Sequence, residues 1–152
     1  MKKILFIIAL VSLLFSGINA QEIKESNGLY YSNEELYTGR YITYFENGLI
    51  KTDMKIVKGK KEGKIKIFFE NGFVNEIRSY KNNLMDGKWM RYNDHGIKIS
   101  VARYKNGLKH GKWFIWNDYG QIIYKLQYLN GEKTGIWENY NEKGEIVSRR
   151  KY

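Results

Sequence analysis

Gly87-Lys88-Trp89-Met90-Arg91-Tyr92-Asn93-Asp94-His95-Gly96, followed after Ile97 to Arg103 by Tyr104-Lys105-Asn106-Gly107-Leu108-Lys109-His110-Gly111, spans one unit of a repeat and the first residue of the next. Steps of 24 residues in either direction land on Gly39, Gly63, Gly87, Gly111 and Gly135 without insertion or deletion. The five units, 39–62, 63–86, 87–110, 111–134 and 135–152, superimpose column by column, so the chemistry of each column can be read by itself.

Two positions after the leading Gly stand Tyr41, Ile65, Trp89, Trp113 and Trp137, and five after it Tyr44, Phe68, Tyr92, Trp116 and Tyr140. Nine after it a glycine recurs at Gly48, Gly72, Gly96, Gly120 and Gly144, as expected of a tight hairpin turn. Asn47-Gly48 and Asn71-Gly72 look like two-residue turns of that kind. A second turn follows at Lys58-Gly59, Asn82-Asn83, Asn106-Gly107 and Asn130-Gly131. Asn83 fits there because Asn is the other residue that enters the left-handed region at low cost.

Eleven after the leading Gly come Ile50, Val74, Lys98, Ile122 and Ile146, and seventeen after it Ile56, Tyr80, Tyr104, Tyr128 and Tyr152. Their even separation places both columns on one face of one strand. Each unit therefore reads as a strand of six residues, a turn, a strand of eight, and a longer turn back to the next leading Gly. Frequent glycine, with aromatic and β-branched residues between, disfavours helix. The fold class expected is all-β, an elongated single-layer antiparallel meander of 24-residue hairpins. Residues 21–38 read as an N-terminal half repeat that caps the stack, with a short strand at Gly28 to Tyr31 and a turn from Ser32 to Thr38.

Residues 1–20 have the pattern of a secretory signal: Lys2 and Lys3, an apolar run from Ile4 to Phe15, and Ile18-Asn19-Ala20 before Gln21. This predicts export to the periplasm, the envelope or the medium. Cys is absent, which removes disulfides, thiolate ligands and thiol nucleophiles, and Pro is absent, as suits strands paired on both sides. The net charge is +10, of which Lys2 and Lys3 supply two, and such a surface favours polyanions. Export turns that preference from nucleic acid, which is not expected as a partner, to anionic lipid, cell-wall polymer or an acidic protein.

The 24-residue spacing of Gly-Lys-Trp, an aromatic three residues later, Asn/Asp-x-x-Gly or Asn-Gly, then Tyr-x-Asn-Gly, resembles the MORN repeat, and more narrowly its bacterial variant in the YwqK family, over residues 28–152. The resemblance implies a lipid-binding, protein-binding or architectural module, and the YwqK label implies the antitoxin of a toxin–antitoxin pair. Ile65 stands where Trp is usual and Asn83 where Gly is usual, so the second hairpin is expected to be the least regular.

No catalytic constellation emerges, and neither a cofactor nor a metal is expected. His95 and His110 fall in turns at opposite ends of a hairpin. The recurring acids Glu46, Glu70, Asp94, Asp118 and Glu142 read as turn chemistry, since copies two strand spacings apart, about 10 Å, cannot share an ion. The expected function is that of a non-enzymatic platform for a protein partner at the envelope. Its contact surface combines a basic row, Arg40, Lys64, Lys88 and Lys112, with the aromatic residues Trp89, Trp113, Trp116 and Trp137. Alternatives are a module for anionic lipid or wall polymer acting through the basic row, and an antitoxin. The oligomeric state is not legible.

A single sheet has no opposing layer, so rings on neighbouring strands must cover one another. Each buries of order 150 Å², a few kcal/mol at about 25 cal/mol per Å². The Trp89, Trp113, Trp137 column and the Tyr92, Trp116, Tyr140 column are each expected to form a ladder. Trp113→Ala should then lower the melting temperature by more than any substitution of a turn lysine such as Lys143; equal melting would place the Trp column in solvent.

Overall fold

A computed structural model describes residues 22–152. The expected signal segment, 1–20, lies outside the described residues, as does the first residue of the expected cap. The described residues form an all-β antiparallel meander with no helix. A small sheet holds β1 (Ile23–Ser26), β2 (Leu29–Ser32) and β3 (Glu35–Leu36). The main, twelve-stranded sheet holds β4 (Gly39–Tyr44), β5 (Ile50–Val57), β6 (Lys60–Phe68), β7 (Val74–Lys81), β8 (Leu84–Tyr92), β9 (Lys98–Lys105), β10 (Leu108–Lys109), β11 (Gly111–Trp116), β12 (Ile122–Leu129), β13 (Glu132–Lys133), β14 (Ile136–Tyr140) and β15 (Ile146–Lys151). Its strands neighbour one another in chain order, while the short β10 and β13 extend the pairing of β9 and β12.

The two kinds of turn differ from expectation in one respect. At the second turn Asn106 and Gly107 both take positive φ, 49° and 82°, the two-residue connection that matches strand twist, and Asn82-Asn83 does the same at 49° and 69°. At the first turn the loop is longer than the two residues Asn47-Gly48. Gly48 N–H donates to Phe45 C=O at 3.0 Å and Phe45 N–H to Leu49 C=O at 2.8 Å, and of the loop only Gly48 has positive φ. This is a three-residue loop closed by a left-handed glycine.

Gly39 and Gly111 begin β4 and β11 as expected, but the second and third leading glycines do not begin strands. β6 and β8 run unbroken through Gly63 and Gly87. At Gly87 the pairing passes from Arg78↔Trp89 to Tyr80↔Met85, leaving Ser79 opposite a bulge. The Ser79 side chain lies across the glycine, where an added Cβ would sit 3.1 Å from Ser79 Cβ.

A further irregularity corrects the reading that columns eleven and seventeen share a face. Tyr92 pairs with Lys98 but Arg91 pairs with Ser100, so Ile99 is an extra residue, and the same shift recurs in all five hairpins. One residue inverts the alternation. Column seventeen shares its face with the Trp column, because Gly87↔Tyr104 and Trp89↔Ala102 are pairs, whereas column eleven shares the face of Tyr92.

The sheet is not a single layer throughout. The N-terminal segment adds strands where a turn was expected, and it folds back on the Trp face of the first two units. There Tyr30, Met54, Ile56 and Ile65 form the buried core, with Tyr30 3 % and Ile56 0 % exposed. Ile56 and Ile65 occupy columns seventeen and two, where later units carry rings, and the Tyr30 ring covers that gap. Asn83 fastens the cap: its Nδ2 donates to Gly28 C=O at 2.8 Å while its Oδ1 accepts Lys61 N–H. Both departures of the second unit are thus contacts with the N-terminal segment.

Tyr30→Ala is expected to cost about 3–5 kcal/mol, the scale of buried aromatic truncation. Asn83→Gly, which keeps the turn and loses the two side-chain bonds, should cost about 1 kcal/mol per bond. Chemical denaturation measures both, and equal midpoints for wild type and Tyr30→Ala would mean that the cap does not stabilise the sheet.

Candidate functional site

The Trp face carries one continuous aromatic row, built from two columns rather than one. Ring centroids follow at 5.4 Å (Trp89–Tyr104), 5.3 Å (Tyr104–Trp113), 4.9 Å (Trp113–Tyr128), 5.2 Å (Tyr128–Trp137) and 4.8 Å (Trp137–Tyr152), tilted by 42–60°. Copies within a column lie two strands, about 10 Å, apart, so a ring on the intervening strand is required for contact. Column seventeen supplies it with tyrosine.

The second expected ladder is not formed. Tyr92, Trp116 and Tyr140 face the other side, and the residues that interleave with them, Lys98, Ile122 and Ile146, have no rings. Trp116 instead stacks on Phe114 at 5.9 Å, and the Tyr140 hydroxyl donates to Glu138.

The indoles are fixed by their N–H groups. Trp113 Nε1 donates to Arg103 C=O at 3.1 Å, Trp137 Nε1 to Gln127 C=O at 3.0 Å, and Trp89 Nε1 to Glu76 Oε2 at 2.8 Å. Lysines two residues before a leading Gly lie over the rings: Lys109 Nζ is 5.2 Å from Trp113 and 5.0 Å from Tyr128, and Lys133 Nζ 4.7 Å from Trp137 and 4.9 Å from Tyr152. Column twenty-two, Lys61, Met85, Lys109 and Lys133, carried this signal in the sequence. Where it holds Met85, Arg78 takes over and stacks 4.6 Å from Trp89.

The basic row and the Trp column do not form one surface. Positions one and two are neighbours in a strand and point to opposite sides, so Arg40, Lys64, Lys88 and Lys112 lie exposed behind Trp89, Trp113 and Trp137, and Trp116 shares the basic side. Lys55 and Arg103 on intervening strands extend that row, through the pairs Arg40↔Lys55 and Lys88↔Arg103. Arg40 is engaged by Asp53 through two bonds of 2.8 and 2.9 Å. Among the described residues, Lys55, Lys64, Lys88, Arg103 and Lys112 have no carboxylate at ion-pair distance.

The turn acids have a smaller part than expected. Asparagine does the turn chemistry: Asn47 Oδ1 accepts Leu49 N–H, and Asn47 Nδ2 donates to Glu70 C=O in the next first turn at 3.0 Å. Asn71 reaches Asp94 C=O in the same way at 2.9 Å, and Asn93 reaches Asp118 C=O at 3.3 Å. His95 Nδ1 meets Asp94 at 2.8 Å in its turn, whereas His110 lies just before Gly111, at the other end of the hairpin.

Beside Trp89 and Trp113 lies a cavity of about 370 Å³, lined also by Arg91, Ser100, Ala102, Tyr104 and Ile115 and by Phe114 and Trp116, so it brings three of the expected tryptophans together. Beside it Glu76 joins the Trp89 indole to Arg78 at 2.6 Å and Arg91 at 3.5 Å. Burial works to raise the Glu76 carboxyl, but the bonds from Arg78 and Trp89, with the charge of Arg91, outweigh it and hold the group below the ordinary carboxylate range.

A scan against protein-family models finds none that matches the chain, and a search of curated proteins finds no match.

A carboxylate with a depressed pKa contributes stability that is present above its unfolded value and lost as pH falls through the folded one. The gap in melting temperature between wild type and Glu76→Gln is therefore expected to be full at neutral pH and to close below about pH 4. A gap independent of pH would remove Glu76 as an ionised anchor of Trp89.

Proposed function

We propose that the protein is an exported, non-enzymatic platform that binds another protein at the cell envelope through its aromatic face. The observation that carries this reading is the unequal covering of that face. Over the first two units the chain lays its own N-terminal strands on it, and over the remaining three, among the described residues, the row from Trp89 to Tyr152 has no such cover. Half-buried indoles under a fringe of lysines match the aromatic and cationic composition of protein contact surfaces. The apolar run with its Ile18-Asn19-Ala20 site supports export, and the MORN-like spacing supports a binding role.

A second reading, binding of anionic lipid or wall polymer, is favoured by the basic row on the opposite face. Like charges directly across a strand pair, as at Lys88↔Arg103, lower stability, and a polyanion would offset that cost.

The two faces are tested separately by charge reversal in envelope extracts. Lys109→Glu with Lys133→Glu is expected to reduce recovery of a protein partner at least tenfold, while Lys64→Glu with Lys112→Glu leaves it unchanged. The reverse result, with salt-sensitive sedimentation on anionic vesicles or wall polymer, would favour the second reading.

A further inference from the structure

Each second turn is fastened to the preceding unit by two successive amides, with one exception. The later turn residue gives its N–H to a backbone carbonyl: Gly59 to Tyr37, Asn83 to Lys61, Gly107 to Met85 and Gly131 to Lys109, at 2.8–3.1 Å. The earlier turn residue gives its N–H to the side chain that follows that carbonyl in the chain. Lys58 N–H donates to Thr38 Oγ1 at 2.8 Å, Asn82 N–H to Glu62 Oε2 at 2.9 Å and Asn106 N–H to Asp86 Oδ2 at 3.0 Å. Three different side chains in column twenty-three thus do one task, that of an acceptor.

His110 is the next member of that column. The turn it faces is built like the others. Asn130 and Gly131 have φ of 51° and 94°, against 49° and 82° at Asn106 and Gly107, and Gly131 N–H is held by Lys109 C=O at 2.8 Å. The Asn130 N–H is therefore directed at column twenty-three, as those of Lys58, Asn82 and Asn106 are. His110 Nδ1 is buried and has no hydrogen-bond partner among the described residues. A buried nitrogen in a column of acceptors and a backbone donor directed at that column are the two halves of one bond.

Histidine performs this task on one condition. Its Nδ1 accepts only while the ring is neutral with its proton on Nε2, whereas the imidazolium has two donors and no acceptor. A hydroxyl or carboxylate oxygen accepts throughout the range of about pH 5–8 in which histidine changes charge. The surroundings act in the same direction. Lys81, Arg103, Lys105 and Tyr104 share with His110 a cavity of about 390 Å³, and its one carboxylate, Asp86, is engaged by Asn106. The facing turn, Asn130-Gly131, is uncharged and is followed by Glu132, while Lys109 and Lys112 flank His110 in the chain. A charged ring would add to three cations and turn an N–H toward the N–H of Asn130.

We propose that His110 is an acid-sensitive joint between the third and fourth units: its neutral ring accepts the Asn130 N–H at Nδ1, and protonation there breaks the bond and repels the turn. Because the folded joint opposes proton uptake, its contribution to stability is full above about pH 6.5 and falls as the pH drops. In acid the hairpin that lays Lys133 over Trp137 and Tyr152 is held at this margin by one turn amide instead of two. The joint goes beyond the platform reading and holds whatever the aromatic face binds.

The test uses the whole chain carrying His95→Gln, which leaves His110 as its single histidine. At about pH 8, above the range in which histidine titrates, nitrogen resonances should place the ring proton on Nε2. A nitrogen–nitrogen coupling should then pass through the hydrogen bond from the Asn130 amide to Nδ1. As the pH is lowered to about 5 the coupling should vanish, and the Asn130 amide resonance should follow the ring titration while that of Asn106 stays still. Adding His110→Thr supplies the acceptor that Thr38 provides in the first turn of this series, so the fold is kept. That variant should melt like the histidine chain at the upper pH and at a higher temperature than it at the lower. The proposal is overturned by a proton on Nδ1 at the upper pH, by absence of the coupling, or by an Asn130 resonance that ignores the ring titration. An equal loss of melting temperature on acidification with and without His110→Thr would overturn it as well.

Discussion

The structure depends on rings that touch across strands. Among the described residues no second layer covers most of the Trp face, so the free energy that a sandwich draws from its interior must come from neighbours along one surface. The row from Trp89 to Tyr152 meets that need by alternation: tryptophan on one strand of each hairpin, tyrosine on the other, the indole N–H tied down and a lysine or, at Trp89, an arginine laid over the ring. Trp113 and Trp137 each touch a tyrosine of their own hairpin and one of the preceding hairpin, while Trp89 has Tyr104 on one side and Arg78 on the other, so the hairpins depend on one another for cover. This matches the nearest-neighbour coupling of repeat proteins, in which no unit is stable alone.

The first two units show how such a row can be interrupted without loss. Ile56 and Ile65 remove two consecutive rings, and a row of aliphatic side chains at that place would be open to water. The N-terminal strands cover them with Tyr30, and Asn83 supplies a side-chain donor that Gly could not. Irregularity in the repeat and the docking of a non-repeat segment are thus one fact seen from two sides.

The hairpin architecture, the turn sites and the identity of the ring columns were legible in the sequence because glycine, asparagine and tryptophan recur at fixed spacing, and each carries a conformational or packing demand. What was not legible depends on single-residue shifts. The extra residue opposite Tyr92 inverts the facing of Lys98 relative to Tyr104, and simple even-number counting missed it. The adjacency of Lys88 and Trp89 in the chain suggested one surface, yet alternation sets them on opposite sides. Residues 22–38 lack the repeat, so their antiparallel strands and their place on the Trp face had no column to announce them; only the oddity of Ile65 and Asn83 hinted at a neighbour.

The asparagine bonds that join successive first turns, Asn47 to Glu70, Asn71 to Asp94 and Asn93 to Asp118, have a counterpart at the other margin. There Gly107 N–H reaches Met85 C=O and Gly131 N–H reaches Lys109 C=O, each at 2.8 Å. Both margins are therefore stitched along the direction in which the strands succeed one another. Tension applied along that direction loads one hairpin's rings and stitches at a time, so the molecule should extend in steps of one repeat. Tension across it loads every strand together. A sheet of this construction yields more readily when pulled along its length than along its strands, a mechanical asymmetry set by the direction in which its hydrogen bonds and rings succeed one another.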